Sequence, residues 1–395
     1  MPPSPPPPIQ SLPDELLEEI FFRLPPNEPA CLVRASVANK RWLGVLSCHA
    51  FRGRYRKFHG SPPVLGFIYS WPLDFLLRKA PSPRFISTRK FGADIPDNRG
   101  GNYKYPAWDC RHGRVLLRDN WAPTHLVVWD PMTGRQRKLK VPTSMGYVDG
   151  ATALFCAASG CDHRACHAGP FQVVFLGLDM TDDDNCVAHA RVSAPVTGDW
   201  SKSCSDVEWS DMCSSLQLSP DALIDSMPSI LVENALHFML THDADDSVEI
   251  LKYDLSSNCL WLIDAPLSGA IISGSTILMA MEDGSLGFAH VDKVTLNIWS
   301  RQLDANGIAS WTMCRVVELM NLIPIQNPTK RLKLIGFVEG SDIIFITADL
   351  GIYEVNIRTL QWKKLWKREN FRYLIPYMSF YNPPEWLRPC VVLNV

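Results

Sequence analysis

Neither sign of charge dominates this chain: 39 Lys plus Arg stand against 41 Asp plus Glu over 395 residues. That balance leaves no whole-chain electrostatic case for a nucleic-acid partner or an anionic membrane. Long apolar runs are missing too. Stretches such as "VVFLGL" and "IIFITA" fall far short of the roughly 20 residues that a membrane-spanning helix needs. The opening MPPSPPPPIQ has no basic n-region and no apolar h-region, so it does not read as a secretory signal; residues 1–10 read as a disordered, extended Pro-rich tail. There is no G-x-S-x-G, P-loop or dinucleotide fingerprint, and no spacing of His and carboxylates supports an enzyme site. We therefore assign no catalytic residue, no cofactor and no metal ligand. The expected location is cytoplasmic and/or nuclear, where the 12 Cys stay reduced.

What the chain has in quantity is Trp, 13 residues, and Pro, 31 residues. Many turns and many large packing side chains fit β-rich structure better than a helical bundle. The length allows two or three domains, or one large β architecture with an added module.

The first module begins with "LPDELLEEIFFRLPP", residues 12–26. At about 100° per residue, Leu16, Leu17, Ile20, Phe21 and Leu24 form one apolar stripe, with Phe22 on the opposite flank. Asp14, Glu15, Glu18 and Glu19 crowd the early turns, where the helix dipole favours anions. Pro13 is tolerated in the first turn, and Pro25-Pro26 ends the helix because Leu24 is pushed out of the α region. A second short helix follows, capped by Asn27 with Pro29 early in it and with Leu32 and Val33 as its apolar residues. A third, "VANKRWLGVLSCHAF", has Ala38, Trp42, Val45, Leu46 and His49 at helical spacing. The basic "FRGRYRKFH" closes the module near residue 59. A unit of this size is marginal alone. Two readings follow: one face docks on a partner's helices, or the whole module is a cap packed on the rest of this chain.

Leu12-Pro13-x-x-Leu16-Leu17-x-x-Ile20, Arg23-Leu24-Pro25, Leu32-x-x-x-x-Val37 and Lys40-Arg41-Trp42-x-x-Val45-Leu46 resemble the F-box, in order and with its usual spacings. The resemblance implies binding to the Skp adaptor of a cullin–RING ubiquitin ligase. It places Leu12, Pro13, Leu16, Ile20, Leu24 and Pro25 at or near that interface. It assigns Leu32, Val37, Trp42 and Leu46 to both interface and internal packing. "PPNEPA" departs from the more apolar or charged linker common in the family.

From residue 64 to 395 the pattern changes to short β-type runs such as "VLGFIY", "RVLLRD", "HLVVWD", "ALHFML" and "GIYEVNI", separated by Gly, Asp, Asn and Pro. A weak repeat runs through them. In "VVWDPMTGRQRKL", "LKYDLSSNCLWLI" and "YEVNIRTLQWKKL", Asp130, Asp254 and Asn356 align, followed by Thr133, Ser257 and Thr359, then by Leu139, Ile263 and Leu365. The physics is a hairpin whose Asx side chain bonds the backbone N–H groups ahead of it. Fainter copies fall at 194–200 and 291–299. Spacings of roughly 40–65 residues match one four-stranded blade plus its loops. About six blades are expected, with seven possible. The segment resembles the F-box-associated β-propeller-like domains of plants, with "CRHGRVLLRD…HLVVWDPMTG" as their opening blade, and that resemblance implies a surface recruiting the protein to be ubiquitinated.

Three further clusters are weighed. Cys156, Cys161, His163, Cys166 and His167 are dense enough for zinc, but adjacent Cys166-His167 and the tight Cys161-x-His163 would strain a tetrahedron; we read a loop with reduced thiols. Asp182–Asp184 and Asp243, Asp245 and Asp246 lack the alternation, Gly and Glu of a calcium loop and read as solvated hairpin tips. Arg52, Arg54, Arg56 and Lys57 with Tyr55 and Phe58 read as a helix with a solvated face rather than a nucleic-acid contact.

The expected protein is thus multidomain, α plus all-β: a helical F-box over 11–59, then a propeller over 64–395. It is read as a non-catalytic substrate receptor that binds the Skp adaptor, and through it a cullin–RING ligase, together with an unidentified target. A non-degradative Skp-binding scaffold and a propeller enzyme with a helical cap are the alternatives.

Overall fold

The computed structural model describes residues 12–70, 84–88, 93–98, 103–104, 106–118, 125–141, 149–158, 161, 169–180, 185–196, 208–209, 214–303, 307–367 and 371–380. Four helices come first: α1 (Asp14–Phe22), α2 (Pro29–Ala38), α3 (Lys40–Ser47) and α4 (His49–His59). The expected third helix is in fact two. Asn39 leaves α2 in extended conformation and caps α3, its side chain accepting the Arg41 N–H. Cys48 breaks the chain again before α4, so His49 is exposed rather than part of an apolar stripe. The second helix starts one residue later than its expected Asn27 cap: Glu28 is the cap and Pro29 opens the first turn.

The chain enters the ring through β1 (Val64–Ser70) and β2 (Arg84–Ser87), then makes a small hairpin of β3 (Asp97–Asn98) and β4 (Tyr103–Lys104). Blade one is β5 (Ala107–Arg111), β6 (Arg114–Arg118), β7 (His125–Trp129) and β8 (Gln136–Lys140). Blade two is β9 (Asp149–Cys156), β10 (Phe171–Met180), β11 (Cys186–Val192) and β12 (Ser214–Leu218). In blade three, β13 (Ala222–Ile224) and β14 (Ile230–Val232) share the inner position beside β15 (Ala235–His242), followed by β16 (Val248–Asp254) and β17 (Cys259–Asp264). Blade four is β18 (Thr276–Ala280), β19 (Leu286–Asp292), β20 (Thr295–Leu303) and β21 (Ala309–Glu318). Blade five is β22 (Lys333–Phe337), β23 (Ile343–Ala348), β24 (Gly351–Asn356) and β25 (Trp362–Trp366). The sixth blade is assembled from both ends of the domain: β26 (Tyr373–Met378) is its inner strand and pairs antiparallel with β1, which pairs with β2.

This is a six-bladed β-propeller. Its inner strands form a closed circle, with β26 lying between β22 and β5. Closure removes long free inner edges. Side chains alternate between the two faces of each blade, and both faces are buried. On β10, Val173 and Phe175 pack toward blade one, while Val174, Leu176 and Leu178 pack toward blade three. That two-sided burial explains why the strands read as unbroken apolar runs. The inner strands also approach closely: a Cβ on Gly336 of β22 would lie 2.2 Å from the Leu374 carbonyl oxygen of β26.

The repeated hairpin is one turn used three times. Asp130, Asp254 and Asn356 each end the third strand of a blade. Each accepts the N–H groups two and three residues ahead: Met132 and Thr133, Ser256 and Ser257, Arg358 and Thr359. The fifth residue of each turn is left-handed: Gly134, Asn258 and Leu360, with φ of 71°, 53° and 56°. The copy at 291–299 differs. It joins the second and third strands of blade four, so it is not a structural equivalent. Of the copy at 194–200, residues 197–200 lie outside the described residues. Two opposite effects are expected at blade five in chemical unfolding. Asn356→Ala removes the one oxygen that accepts two N–H groups and lowers stability by about 1 kcal/mol. Leu360→Gly relieves a side chain held at positive φ and raises it by about 0.5–1 kcal/mol.

Candidate functional site

The F-box module divides its apolar residues between two directions. Leu17 and Phe21 of α1, Leu32 and Ala35 of α2, Val45 and Leu46 of α3 and Phe51 and Tyr55 of α4 form its core. Leu16 and Ile20, one turn apart on α1, stay 50 % and 40 % exposed, and Val33 and Val37 on α2 stay 37 % and 65 % exposed. The single α1 stripe expected from periodicity is therefore split. Leu17 and Phe21 face inward and Leu16 and Ile20 outward, while Leu24 lies beyond the helix end and is half-buried.

The ten residues assigned to the adaptor interface fall into three groups. Pro13, Leu16, Ile20, Pro25 and Val37 are exposed. Leu12, Leu24 and Trp42 are half-buried and pack against the module's core; Trp42 meets Phe21 edge-to-face at 5.8 Å. Leu32 and Leu46 are buried, which assigns them to internal packing in this chain. Val33 belongs with the exposed group, and its signal was its spacing of four from Val37.

The other side of the module rests on the propeller. Phe22, on the flank opposite Ile20, stacks on Phe51 at 5.1 Å and on Phe58 at 5.8 Å. Two α4 side chains serve the C-terminal end of α1: the Tyr55 hydroxyl donates to the Leu24 carbonyl at 2.9 Å, and a His59 ring nitrogen meets the Phe22 carbonyl at 2.8 Å. Burial pushes the Tyr55 hydroxyl well above its ordinary range, with the nearby Cys31 adding to it. Tyr55 meets Phe380 edge-to-face at 6.0 Å, and Phe380 lies two residues past the end of β26. Phe380 and Met132 thus complete the F-box core from the ring. One side of the module caps this chain and the other is open. The basic cluster is partly used in this packing, since Arg54 pairs with Glu18 and Arg52 and Arg56 line a small gap beside Phe380.

A second site lies in the ring. The inner strands all run the same way, and where they end a cavity of about 830 Å³ opens. Its lining comes from residues at or just past these ends: Arg111 and His112, Cys156, Val232 and Glu233, Met281 and Glu282, Glu339, and Met378. Ser61 and Pro62, which connect α4 to β1, line it as well, so the F-box attaches at this mouth.

The cavity floor holds a buried ion network. Asp109 and Arg111 point to the same side of β5, and both are nearly inaccessible. They form an ion pair. Asp109 also accepts the N–H of Cys110 at 2.8 Å and, across the blade boundary, that of Leu154 at 2.7 Å. Arg111 reaches the Ser229 carbonyl and hydroxyl in blade three and Glu339 beyond β22 at 3.5 Å. One arginine thus ties blades one, three and five, and its aspartate ties in blade two. Burial outweighs the ion pair and hydrogen bonds and pushes the Asp109 carboxyl up to about 6. Sequence reading missed this network. Its signal was a pair of opposite charges at period two inside a strand otherwise built for burial.

Of the metal-like clusters, Asp243, Asp245 and Asp246 form the exposed tip between β15 and β16, where Asp245 accepts the Ser247 N–H at 2.9 Å. Asp182–Asp184, His163, Cys166 and His167 lie outside the described residues. No helix among the described residues is long and apolar enough to cross a membrane.

Comparison with known families agrees with this architecture. A family model described as F-box protein AT5G49610-like, beta-propeller, matches residues 107–384, and the F-box domain model matches residues 9–48. The chain belongs to the F-box proteins that carry this propeller. It is of the substrate-receptor type, in a family whose members are generally non-catalytic adaptors and whose F-box generally binds the Skp adaptor. No curated protein matches the chain. The likeness to solved structures is weak. An oligogalacturonate lyase in complex with manganese is 10 % identical over 69 % of this chain and 67 % of its own, with a TM-score of 0.35. Prolyl oligopeptidase B from Galerina marginata is 9 % identical over 73 % of this chain and 38 % of its own, with a TM-score of 0.33. AztD from Citrobacter koseri is 11 % identical over 75 % and 78 %, with a TM-score of 0.33. The chain therefore spans well under half the length of the oligopeptidase.

Proposed function

We propose that this chain is the substrate-receptor subunit of an SCF-type cullin–RING ubiquitin ligase. Its F-box docks on the Skp adaptor, its propeller holds a target protein, and the assembly leads to ubiquitination of that target. The observation that carries the reading is the pair of exposed apolar positions on each of α1 and α2, Leu16 with Ile20 and Val33 with Val37, on a module whose remaining apolar residues are filled in by its own core and by Phe380. A protein partner covers such a face at a gain of about 25 cal/mol per Å² of apolar area removed from water. The receptor supplies no reacting group. It acts by proximity, raising the local concentration of target lysines near the ubiquitin-loaded enzyme. We place this work in the cytoplasm and/or nucleus.

The test is co-expression of the full chain with a Skp adaptor, followed by size-exclusion chromatography and in vitro assembly with the cullin and RING subunits. A stoichiometric complex that promotes ubiquitin transfer to captured protein is expected. A soluble chain eluting alone would overturn the reading.

A further inference from the structure

We propose that the cavity at the F-box-side mouth of the ring is the target-recognition site and that it receives a lysine or arginine side chain of the target protein. The proposal deepens the receptor reading and rests on it. Its volume, about 830 Å³, lies within the range of binding pockets, and its lining is polar and apolar in equal measure. The walls are apolar where Phe155, Leu231, Leu255, Met281 and Met378 line them.

The charges lining the mouth are mostly acidic. Glu233, Glu282 and Glu339 line the cavity. Asp109 lies beneath it, and Asp342 stands beside Glu282, with burial and the Glu282 charge both raising the Asp342 carboxyl. Against these five carboxylates stand four arginines among the described residues. Arg111 pairs with Asp109 and Glu339, Arg358 pairs with Glu282, Arg315 acts on Asp342 together with Arg358, and Arg301 feels the charge of Glu233. Among the described residues, His112 also lines the mouth. Among the described residues acid exceeds base by one charge, and the Glu339 side chain stays 37 % exposed.

This arrangement selects a long cation with an apolar stem. The methylenes of Lys or Arg lie along apolar walls while the head reaches carboxylates, and the Phe155 ring adds an attraction for cations. A phosphorylated or carboxylate side chain is disfavoured. Among the described residues Arg111 is the arginine lining the cavity; its terminal nitrogens donate to Asp109 and Ser229, and its Nε lies 3.5 Å from a Glu339 carboxylate oxygen in an ion pair. The position also suits a receptor. Ser61 and Pro62 put the mouth next to the F-box, so a target held there lies beside the adaptor rather than across the ring from it.

The test uses the full chain in its complex with the adaptor and degenerate short peptide pools carrying a fixed central Arg, Lys, norleucine or phosphoserine, read by fluorescence polarisation. The Arg and Lys pools are expected to bind at least about tenfold more tightly than the norleucine pool. Glu339→Gln and, separately, the rim variant Glu233→Gln are expected to weaken them by about tenfold, with adaptor co-elution unchanged in both and the melting temperature unchanged in Glu233→Gln, whereas Glu339→Gln, which also loses its pairing with Arg111, melts somewhat lower. Preference for norleucine or phosphoserine, equal binding of all pools, no binding, or indifference to both variants would each overturn the proposal. Loss of the adaptor complex itself would instead overturn the receptor reading, so the two failures are distinguishable.

Discussion

Leu16→Asp and Leu17→Asp, one residue apart, are expected to fail in different ways. Leu17 is fully buried and touches the core of all four helices. A carboxylate there either carries an unpaired charge into apolar surroundings or takes up a proton, and either costs several kcal/mol. A module of under 60 residues does not survive that loss. Leu17→Asp should therefore unfold the F-box and expose Phe380. Leu16 is half exposed, so Leu16→Asp combined with Ile20→Asp leaves the melting profile close to that of the wild type. It should nevertheless abolish co-elution with the Skp adaptor, because charge at the centre of an apolar contact costs at least about 2 kcal/mol per anchor. Thermal denaturation and co-elution, measured on the same preparations, separate the two. A normal complex with the double aspartate variant would mean that the partner, if any, docks elsewhere.

Arg111→Met is expected to destabilise the propeller by about 3–5 kcal/mol, because it leaves the Asp109 carboxylate buried without its counter-charge. The double variant Asp109→Asn plus Arg111→Met should recover a large part of that loss. Asn keeps an acceptor for one of the two N–H groups, those of Cys110 and Leu154, which bond different oxygens of Asp109, and no charge remains at positions 109 and 111. The pH dependence has a definite sign. The Asp109 carboxyl already titrates near 6, above its ordinary 3.8, and losing Arg111 moves it further up. A raised folded-state value makes protonation stabilising at low pH, an effect lost as pH rises through that value. The deficit of Arg111→Met against wild type should therefore be smaller near pH 5 than at pH 8. Urea denaturation across that interval checks it, and an equal deficit at both ends would mean that Asp109 is not the group left stranded.

Much of the fold was legible because its rules are local. The end of α1 just ahead of Pro25-Pro26 and the Asx turns at Asp130, Asp254 and Asn356 involve only neighbours in the chain. What escaped depends on partners far away. Leu16 and Leu17 share a helical stripe by periodicity, and only packing against α3, α4 and Phe380 decides which is buried. "VLGFIY" reads as a strand, but nothing in it says that its neighbour is the "YLIPYM" of β26. Asp109 and Arg111 look like ordinary polar residues near a hairpin until Ser229 and Glu339 are brought to them.

The composite sixth blade also sets an order of events during synthesis. β1 and β2 leave the ribosome about 300 residues ahead of β26, their inner neighbour. At about 5–20 residues per second, they wait roughly 15–60 s for it. Through that interval the helices of the F-box are complete in sequence, while the ring stands open and Phe380, which belongs under Tyr55, does not yet exist. A message truncated before codon 373 would therefore yield a chain with its adaptor-facing residues but without the strand that closes the ring or the aromatic that seats the F-box on it. Such a product could compete for the adaptor without delivering a target, and its removal would fall to the cell's chaperones and proteases.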